Sequence, residues 1–187
     1  MSLTKSNYLI LRKGASAPDF ELSDFEGKKI KLAKAKGTKG TLIIYMCNHC
    51  PFVIPKAPFL AELEKKYASR GLSIIAINAN DVANYPADAP ENMKKFARDH
   101  HFVFPYLFDE SQQVAKAYGA ACTPDPFLFD AMMRLVYHGR IDDAHGAPHS
   151  TGKTNELENA IKELLEKGTV TVDENPSQGC SIKWKNQ

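Results

Sequence analysis

Two cysteines separated by two residues, in Cys47-Asn48-His49-Cys50, are the side chains of this sequence best suited to covalent chemistry. A thiolate attacks a disulfide, and a second thiol within one helical turn can resolve the mixed disulfide that forms. The spacing therefore predicts a catalytic pair that cycles between dithiol and disulfide. We expect Cys47 to be the attacking thiol, because the first cysteine of such a pair usually lies just outside the helix that shields the second.

The residues around the pair predict a strand before it and a helix after it. The apolar run that begins at Thr41 is too short for a buried helix and leads into the first cysteine. The segment after the second cysteine has helical spacing to about Arg70, with Pro51 in its first turn and Pro55 deep enough to kink it. Unpaired N–H groups and the helix dipole at that N-terminus would stabilise a thiolate, which is the reactive form.

A metal site is the main competing interpretation of two neighbouring cysteines. A structural zinc site of the common kind needs a second Cys-x-x-Cys or a pair of histidines. The other two cysteines, Cys122 and Cys180, stand alone and far apart in the sequence, so no zinc site is predicted. A module that binds or delivers a soft ion such as Cu(I) through Cys47 and Cys50 remains the alternative from a different functional class.

The composition indicates one globular domain. The chain has 187 residues, 43% of them hydrophobic, and a formal net charge of +2. These values suit a single core, and we expect one domain over residues 1–187, with its core at about 14–168 and a tail at 169–187.

Charge and hydropathy also limit the expected partners and location. The sequence has no basic cluster interleaved with aromatic residues and no run of membrane-spanning length. Neither nucleic acid nor a membrane is therefore an expected partner. The apolar stretch near the N-terminus is too brief for a signal peptide, so we expect a cytoplasmic protein, in which a Cys-x-x-Cys is catalytic rather than a structural disulfide.

Strands alternate with helices along the chain. Asp88, three residues before Glu91, marks the start of a helix, and Pro105 confines the extended segment 102–108 to a sheet edge or a bend. The other predicted elements are a hairpin over residues 17–22 and 29–32, strands at 72–77, 127–129 and 135–137, and helices at 112–118 and 155–167. This order predicts an α/β sandwich with a mixed sheet.

Three motifs occur together in a specific order and spacing. They are residues 17–22, Cys47 to Cys50 with Pro55 after them, and residues 119–130, which contain Thr123-Pro124 before an apolar strand. In this arrangement they resemble the thioredoxin-like superfamily, in the redoxin branch that also holds the alkyl hydroperoxide reductase and thiol-specific antioxidant proteins. The resemblance implies a thioredoxin-like three-layer sandwich, with a mixed central sheet and an N-terminal β-hairpin extension. It also implies a cis Thr123-Pro124 bond that faces the dithiol and leaves the backbone near Thr123 open to pair with an incoming chain.

The residues beside the cysteines set the expected redox character. Thioredoxins have Gly-Pro between the cysteines and a Trp before the first one, where this chain has Met46. A His directly before the second cysteine resembles the strongly oxidising periplasmic dithiols, in which a thiolate of low pKa makes the reduced form stable. The resemblance thus implies supporting roles for Asn48 and His49, with electrostatic tuning of the thiols by His49.

The resemblance implies a thiol–disulfide oxidoreductase that needs no cofactor. Its partners would be protein or small-molecule disulfides and an external thiol reductant or reductase. A thiol-dependent, peroxiredoxin-like antioxidant peroxidase acting on peroxides is the alternative. Peroxiredoxins place Thr or Ser three residues before the peroxidatic cysteine and Pro seven before it. Before Cys50 those positions are Cys47 and Ile43. Before Cys47 they are Ile44 and Gly40, so disulfide exchange is favoured.

Cys122 and Cys180 are candidate auxiliary thiols. Cys122 lies two residues before Pro124, and Cys180 lies in the tail. The simpler interpretation is one small buried hydrophobic residue and one uninvolved thiol. The alternative hypothesis is that the tail folds back and Cys180 serves as an extra resolving thiol.

Overall fold

A seven-stranded mixed sheet is the middle layer of the structure, a computed structural model that describes residues 3–185. Residues 1, 2, 186 and 187 of the predicted domain lie outside the described part. In spatial order the strands are β3 (Lys29–Lys31), β2 (Glu21–Asp24), β6 (Tyr106–Phe108), β5 (Leu72–Asn78), β4 (Gly40–Tyr45), β8 (Asp125–Asp130) and β9 (Leu135–His138). Strands β4, β5 and β6 are parallel to one another, and the other neighbouring pairs are antiparallel. The predicted mixed sheet is confirmed.

A small antiparallel sheet lies beside the central one. It consists of β1 (Leu3–Lys5), β10 (Gln178–Ser181) and β7 (Cys122–Thr123), with β10 in the middle. The segment that the sequence identifies as a tail therefore contributes a strand to the fold, paired with residues near both the N-terminus and the cis-proline loop.

Helices cover both faces of the central sheet. Within residues 3–185 they are α1 (Leu32–Ala35), α2 (Ala57–Tyr67), α3 (Pro90–Asp99), α4 (Gln113–Tyr118) and α5 (Glu156–Lys167), and none is long and apolar enough to span a membrane. Buried residues of α2, α3 and α5 form one core cluster, and those of α1 and α4 belong to a second. In β4, Leu42 packs in the first cluster and Ile43 in the second, because successive side chains point to opposite faces. The predicted three-layer sandwich is confirmed.

The N-terminal hairpin is confirmed, although its first strand starts later than predicted. Strands β2 and β3 pair in antiparallel register. The Asp24 carboxylate accepts a 2.9 Å hydrogen bond from the N–H of Glu26, and Gly27 has φ +82°, which glycine adopts without steric cost. Residues 17–20 precede the strand, since Pro18 has no N–H to donate to a ladder.

Most other elements lie where periodicity places them. The strands and helices predicted at 72–77, 127–129, 135–137, 112–118 and 155–167 are β5, β8, β9, α4 and α5. Helix α5 ends at Gly168, whose φ of +72° lets its N–H bond to the carbonyl of Leu164 at 2.9 Å.

The helix after the dithiol starts later than predicted. Pro55 does not kink α2; it lies in a short 3₁₀ helix, Ile54–Lys56, and α2 begins at Ala57. Pro55 and Pro58 have no N–H with which to extend a regular α-helix back toward the cysteines. The influence of a helix dipole falls off within the first turn, so α2 contributes little to stabilising a thiolate at Cys47.

Pro105 lies just before an interior strand and not at a sheet edge. Strand β6 lies between β2 and β5. The carbonyl of Pro105 accepts a 2.9 Å hydrogen bond from the N–H of Ala76. Pro105 therefore pairs with β5 through its carbonyl oxygen, and this pairing does not require an N–H of the proline. Of the two predicted alternatives, the sheet edge was wrong, whereas a bend is present at Phe104, directly before the proline.

Candidate redox site

Cys47 and Cys50 lie directly after the carboxyl end of β4, beside the loop that follows β5. The N–H of Met46 donates to the carbonyl of Ile77 at 2.9 Å, which continues the pairing of these parallel strands up to the first cysteine. Both cysteines are buried, 1% and 0% exposed, and both are thiols rather than members of a disulfide. The crevice at the carboxyl ends of parallel strands is the usual ligand site of open α/β sheets.

The Thr123-Pro124 peptide bond is cis and faces the dithiol, as predicted. The Cys50 thiol donates to the carbonyl of Thr123, with Sγ and O 3.1 Å apart. The Cys47 Sγ lies 3.6 Å from the Thr123 hydroxyl oxygen. Both sulfurs therefore contact the residue before the cis-proline.

The backbone edge at Thr123 is occupied, which corrects the expectation that it is open. Strand β10 pairs with it in antiparallel register, with Cys180 opposite Thr123 and Ser181 opposite Cys122. This pairing brings Cys180 into the same buried cluster as Cys47 and Cys50. The tail does fold back onto the site, and sequence periodicity gave no signal for that strand.

The two thiols of the pair differ in acidity. The pKa of Cys50 is lowered to about 5, chiefly by the hydrogen bond from the Cys47 thiol; burial opposes this shift, and hydrogen bonds involving Thr123 and Cys180 support it. The pKa of Cys47 is raised well above its ordinary value by its hydrogen bond to Cys50, by burial and by the nearby Asp88 carboxylate. Loss of one proton from the pair thus leaves Cys47 protonated and the negative charge on Cys50, which then no longer donates to the Thr123 carbonyl.

Asp88 fixes the turn between the cysteines. Its buried carboxylate accepts hydrogen bonds of 2.8 Å from the N–H of Asn48 and from the amide of Asn80. The side-chain oxygen of Asn48 in turn accepts a 2.9 Å hydrogen bond from the Tyr106 hydroxyl. Asn48 therefore acts through its backbone and its amide as a structural anchor of the motif.

The sequence assigns Asp88 the wrong role. Helix α3 begins at Pro90, with Ala89 at the N-cap position and no side-chain cap, because Asp88 turns toward the dithiol. The signal that could have identified Asp88 is its place shortly after the polar loop that follows β5, at the carboxyl edge of the sheet.

His49 lies on the outer side of the motif. Its Nδ1 is 2.7 Å from the Asp88 carboxylate, at an angle that makes no regular hydrogen bond. Its ring stacks on Tyr85, with centroids 5.9 Å apart and planes 8° from parallel. Protonation of His49 would place a positive charge beside Asp88, which lies next to the dithiol.

Residues 13–138 match the model of the AhpC/TSA family. The chain belongs to this family. The central sheet with its cis-proline loop is a thioredoxin-like fold.

Two crystal structures are similar over nearly the whole chain. An uncharacterised conserved protein from Geobacillus kaustophilus is 42% identical with a TM-score of 0.91, and the match covers 100% of this chain and 98% of that one. A hypothetical protein from Sinorhizobium meliloti 1021 is 41% identical with a TM-score of 0.90, covering 98% and 100%. Both matches therefore extend into the C-terminal part of the chain that contains Cys180.

A curated relative carries a functional name. The chain is 34% identical over 125 residues to the thiol-disulfide oxidoreductase ResA of Bacillus thuringiensis subsp. konkukian, and the match covers 66% of each chain. The chain therefore spans slightly less than two thirds of the length of that relative.

Cys122 lies in β7, next to Thr123 in the sequence, and its sulfur contacts residues other than the dithiol cysteines. Its sulfur lies 3.6 Å from the Pro124 carbonyl oxygen and 4.0 Å from the Ser6 hydroxyl. Burial is the largest cause that raises its pKa. These contacts are typical of a small buried side chain, and neither of them is with another thiol.

Three side chains at this redox site could together hold a metal ion. Ligand atoms of Cys47, His49 and Asp88 all lie within 4.8 Å of one another. A thiolate, an imidazole and a carboxylate suit zinc or another borderline ion. Cys50 is not a member of this group, whereas the sequence pairs it with Cys47 in the soft-metal alternative.

Proposed function

We propose that the protein is a thiol–disulfide oxidoreductase in which Cys47 and Cys50 cycle between dithiol and disulfide. The observation that carries this proposal is the contact of both sulfurs with Thr123 before the cis-proline, together with a Cys50 thiol whose pKa is lowered to about 5. The name of the ResA relative supports the same activity.

Each of the two sulfurs carries out one step of the disulfide exchange. The Cys50 thiolate accepts the proton of Cys47, which is then able to attack one sulfur of a substrate disulfide. The substrate S–S bond breaks, a mixed disulfide forms on Cys47, and the leaving thiolate departs. Cys50 then attacks the Cys47 sulfur, releasing the second substrate thiol and closing the Cys47–Cys50 disulfide.

The partners in this proposal follow from the redox balance. Each cycle moves two electrons from the dithiol to a protein or small-molecule disulfide. Cys50 passes the proton that it took from Cys47 to the first leaving thiolate, and solvent protonates the second. An external thiol reductant or reductase then returns the protein to the dithiol form. The proposal therefore includes a reducing, cytoplasmic environment, in which such reductants are present.

Single cysteine variants test the proposed order of events. With insulin disulfides as substrate and dithiothreitol as reductant, we expect turnover by the wild type and none by Cys47→Ser. After removal of the dithiothreitol, reduced Cys50→Ser should form a stable mixed disulfide with insulin. The matched control is Cys122→Ser, which removes a buried thiol and should keep turnover. Turnover by Cys47→Ser would contradict the proposal.

A peroxidase is the second candidate, and the low pKa of Cys50 favours it because a thiolate is the form that peroxides oxidise. Cys50→Ser would then lose peroxide consumption, while Cys47→Ser would still form a sulfenic acid at Cys50. Rapid peroxide-dependent sulfenylation of Cys47→Ser, with no mixed disulfide trapped by Cys50→Ser, would replace the exchange mechanism with this one.

A metal-binding module is the third candidate, and the cluster of Cys47, His49 and Asp88 favours it. Stoichiometric metal in protein purified without chelator, lost in His49→Ala and retained in Cys50→Ser, would support this function. Reversible two-electron oxidation of metal-free protein would support the oxidoreductase.

A further inference from the structure

The third thiol at the dithiol is held there by backbone structure. In the antiparallel pair of β10 with β7, Cys180 lies opposite Thr123, whose carbonyl oxygen is 3.1 Å from the Cys50 sulfur. Cys47, Cys50 and Cys180 belong to one buried cluster. Cys50 therefore shares its buried surroundings with a thiol on its own motif and with a thiol on β10.

Gly179 makes this approach possible. A Cβ at residue 179 would collide with the carbonyl of Thr123, so only glycine permits β10 to lie this close to the cis-proline loop. The sequence of β10 thus includes a residue type that the close approach requires.

The residues after β10 continue the attachment across the site. The N–H of Lys183 donates to the side-chain oxygen of Asn80, and the N–H of Asp81 donates to the carbonyl of Lys183, both at 2.8 Å. Asn80 is the residue whose amide binds Asp88. The C-terminal segment (residues 178–185) is therefore tied to both sides of the dithiol.

We propose that Cys180 is a third redox-active residue, whose thiolate attacks the Cys50 sulfur of the Cys47–Cys50 disulfide. The Cys47–Cys50 bond breaks and a Cys50–Cys180 bond forms. Cys47 leaves as a thiolate and takes up the proton that Cys180 releases. The step is an internal thiol–disulfide exchange, so no electrons are gained or lost and no further oxidant is needed.

The electrostatics of the site make this step depend on the redox state. In the reduced protein the pKa of Cys180 is raised to about 11, first by burial and then by its hydrogen bond to Cys50. Oxidation of Cys50 removes its negative charge and with it the second cause. Cys180 therefore becomes more reactive once the disulfide that it attacks has formed.

The active site with the Cys50–Cys180 disulfide differs in shape from the active site with the starting Cys47–Cys50 disulfide. A Cys50–Cys180 bond ties β10 covalently to the Cys-x-x-Cys motif that follows β4 and returns Cys47 to the thiol form. The oxidised protein would then exist as two disulfide isomers, of which the second keeps the C-terminal segment in place. The proposal rests on the proposed function only because the Cys47–Cys50 disulfide is its starting species.

Peptide mapping of the oxidised full-length protein tests the proposal. The protein is oxidised with oxidised glutathione, quenched in acid, alkylated and digested with trypsin, which places the pair in residues 40–56, Cys122 in 117–134 and Cys180 in 168–183. We expect peptides 40–56 and 168–183 joined by a disulfide, with the alkyl label on Cys47. Complete alkylation of Cys180 in protein that carries the Cys47–Cys50 disulfide would overturn the proposal and leave the proposed function intact.

Three variants separate exchange from chance oxidation. Gly179→Ala should lose the Cys50–Cys180 link and keep Cys47–Cys50, because the added Cβ displaces β10. Cys47→Ser should form Cys50–Cys180 as its intramolecular disulfide, and the control Cys122→Ser should keep the wild-type ratio of the two isomers. An undiminished link in Gly179→Ala would show that the β10 geometry does not direct it and would overturn the proposal. Failure of Cys47–Cys50 itself to form would instead contradict the proposed function.

A redox titration gives a quantitative check that a structural role would not produce. Two oxidised isomers raise the apparent oxidation constant by a factor of 1 + R over that of Cys47–Cys50 alone, where R is the measured ratio of Cys50–Cys180 to Cys47–Cys50. Cys180→Ser keeps a hydrogen-bond donor at the site, so its oxidation constant against glutathione should fall by that factor. An unchanged constant alongside a substantial R would contradict the exchange.

Discussion

The carboxylate of Asp88 accepts a hydrogen bond of 2.8 Å from the backbone N–H of Asn48, the first residue between the two cysteines. The same carboxylate raises the pKa of Cys47 through its negative charge. One buried side chain therefore both shapes the Cys-x-x-Cys turn and opposes ionisation of its first thiol.

Replacement of Asp88 by Asn should make the disulfide more oxidising. Asp88→Asn keeps an oxygen that can accept from the Asn48 N–H but removes the negative charge beside Cys47. The pKa of Cys47 should fall, so at alkaline pH, where the Cys47 thiolate forms, the reduced form is more stable and the reduction potential is higher. Equilibration with glutathione measures the change, and Asp99→Asn at the exposed end of α3 is the control. An unchanged or lower potential in Asp88→Asn would count against this role.

The part of the site that is local in sequence could be predicted. The apolar β4 run, the dithiol after it and Thr123-Pro124 before β8 are each recognisable within a few residues, and the structure places them together. The same holds for α5, whose apolar period and terminal Gly168 define it.

The part that depends on distant contacts could not be predicted. Asp88 lies 40 residues from Asn48, and its spacing to Glu91 imitates a capping box. The β10 sequence Gln-Gly-Cys-Ser has no alternation of apolar and polar residues, so its pairing with Thr123 is decided by the tertiary structure. Cys180 reaches Cys50 only through that pairing.

Titration of the thiols should identify Cys50 as the acidic one. We expect thiolate ultraviolet absorbance of the reduced wild type to appear with a midpoint of about pH 5. Cys47→Ala should move that midpoint upward, because the hydrogen bond from the Cys47 thiol is the largest cause of the lowered pKa. Cys122→Ala, the control, should leave it unchanged. Persistence of the acidic titration in Cys50→Ala would show that the charge resides on Cys47.

The stability of the reduced protein should depend on pH in a way that the oxidised protein does not share. The pKa of Cys50 is about 5 in the folded state, against an ordinary 9.0. Between these values the unfolded chain binds more protons, so the free energy of unfolding rises with pH from about 5 to about 9. Above that range the raised pKa of Cys47 reverses the slope, since folded Cys47 stays protonated when the unfolded thiol ionises.

Urea denaturation of reduced and oxidised protein at several pH values measures this dependence. In a Cys180→Ser background the difference between the two forms isolates the pair, because the disulfide has no ionisable thiols and no third thiol responds to its oxidation. Equal pH profiles for the two forms would mean that the pair does not titrate differently on folding.

The buried ion pair of Lys56 and Asp142 should matter for stability. Lys56 lies just before α2 and is 2% exposed, and its ammonium group contacts both oxygens of the Asp142 carboxylate at 2.6 and 2.8 Å. Lys56→Met leaves that carboxylate buried without its main partner, which typically costs about 3–5 kcal/mol. The His149 ring, 2.6 Å from the second oxygen, is then the remaining side chain in contact with it.

Urea denaturation compares Lys56→Met with Lys94→Met, which removes an exposed ion pair to Glu26 and should change the free energy of unfolding little. The double variant Lys56→Met/Asp142→Leu should be more stable than Lys56→Met alone, because it removes the unpaired charge together with its partner. If Lys56→Met and Lys94→Met had the same free energy of unfolding, the buried Lys56–Asp142 pair would contribute no more to stability than the exposed Lys94–Glu26 pair. A double variant less stable than Lys56→Met would instead show that Asp142 contributes through its other contacts, with the N–H of Ala144 and the ring of His149.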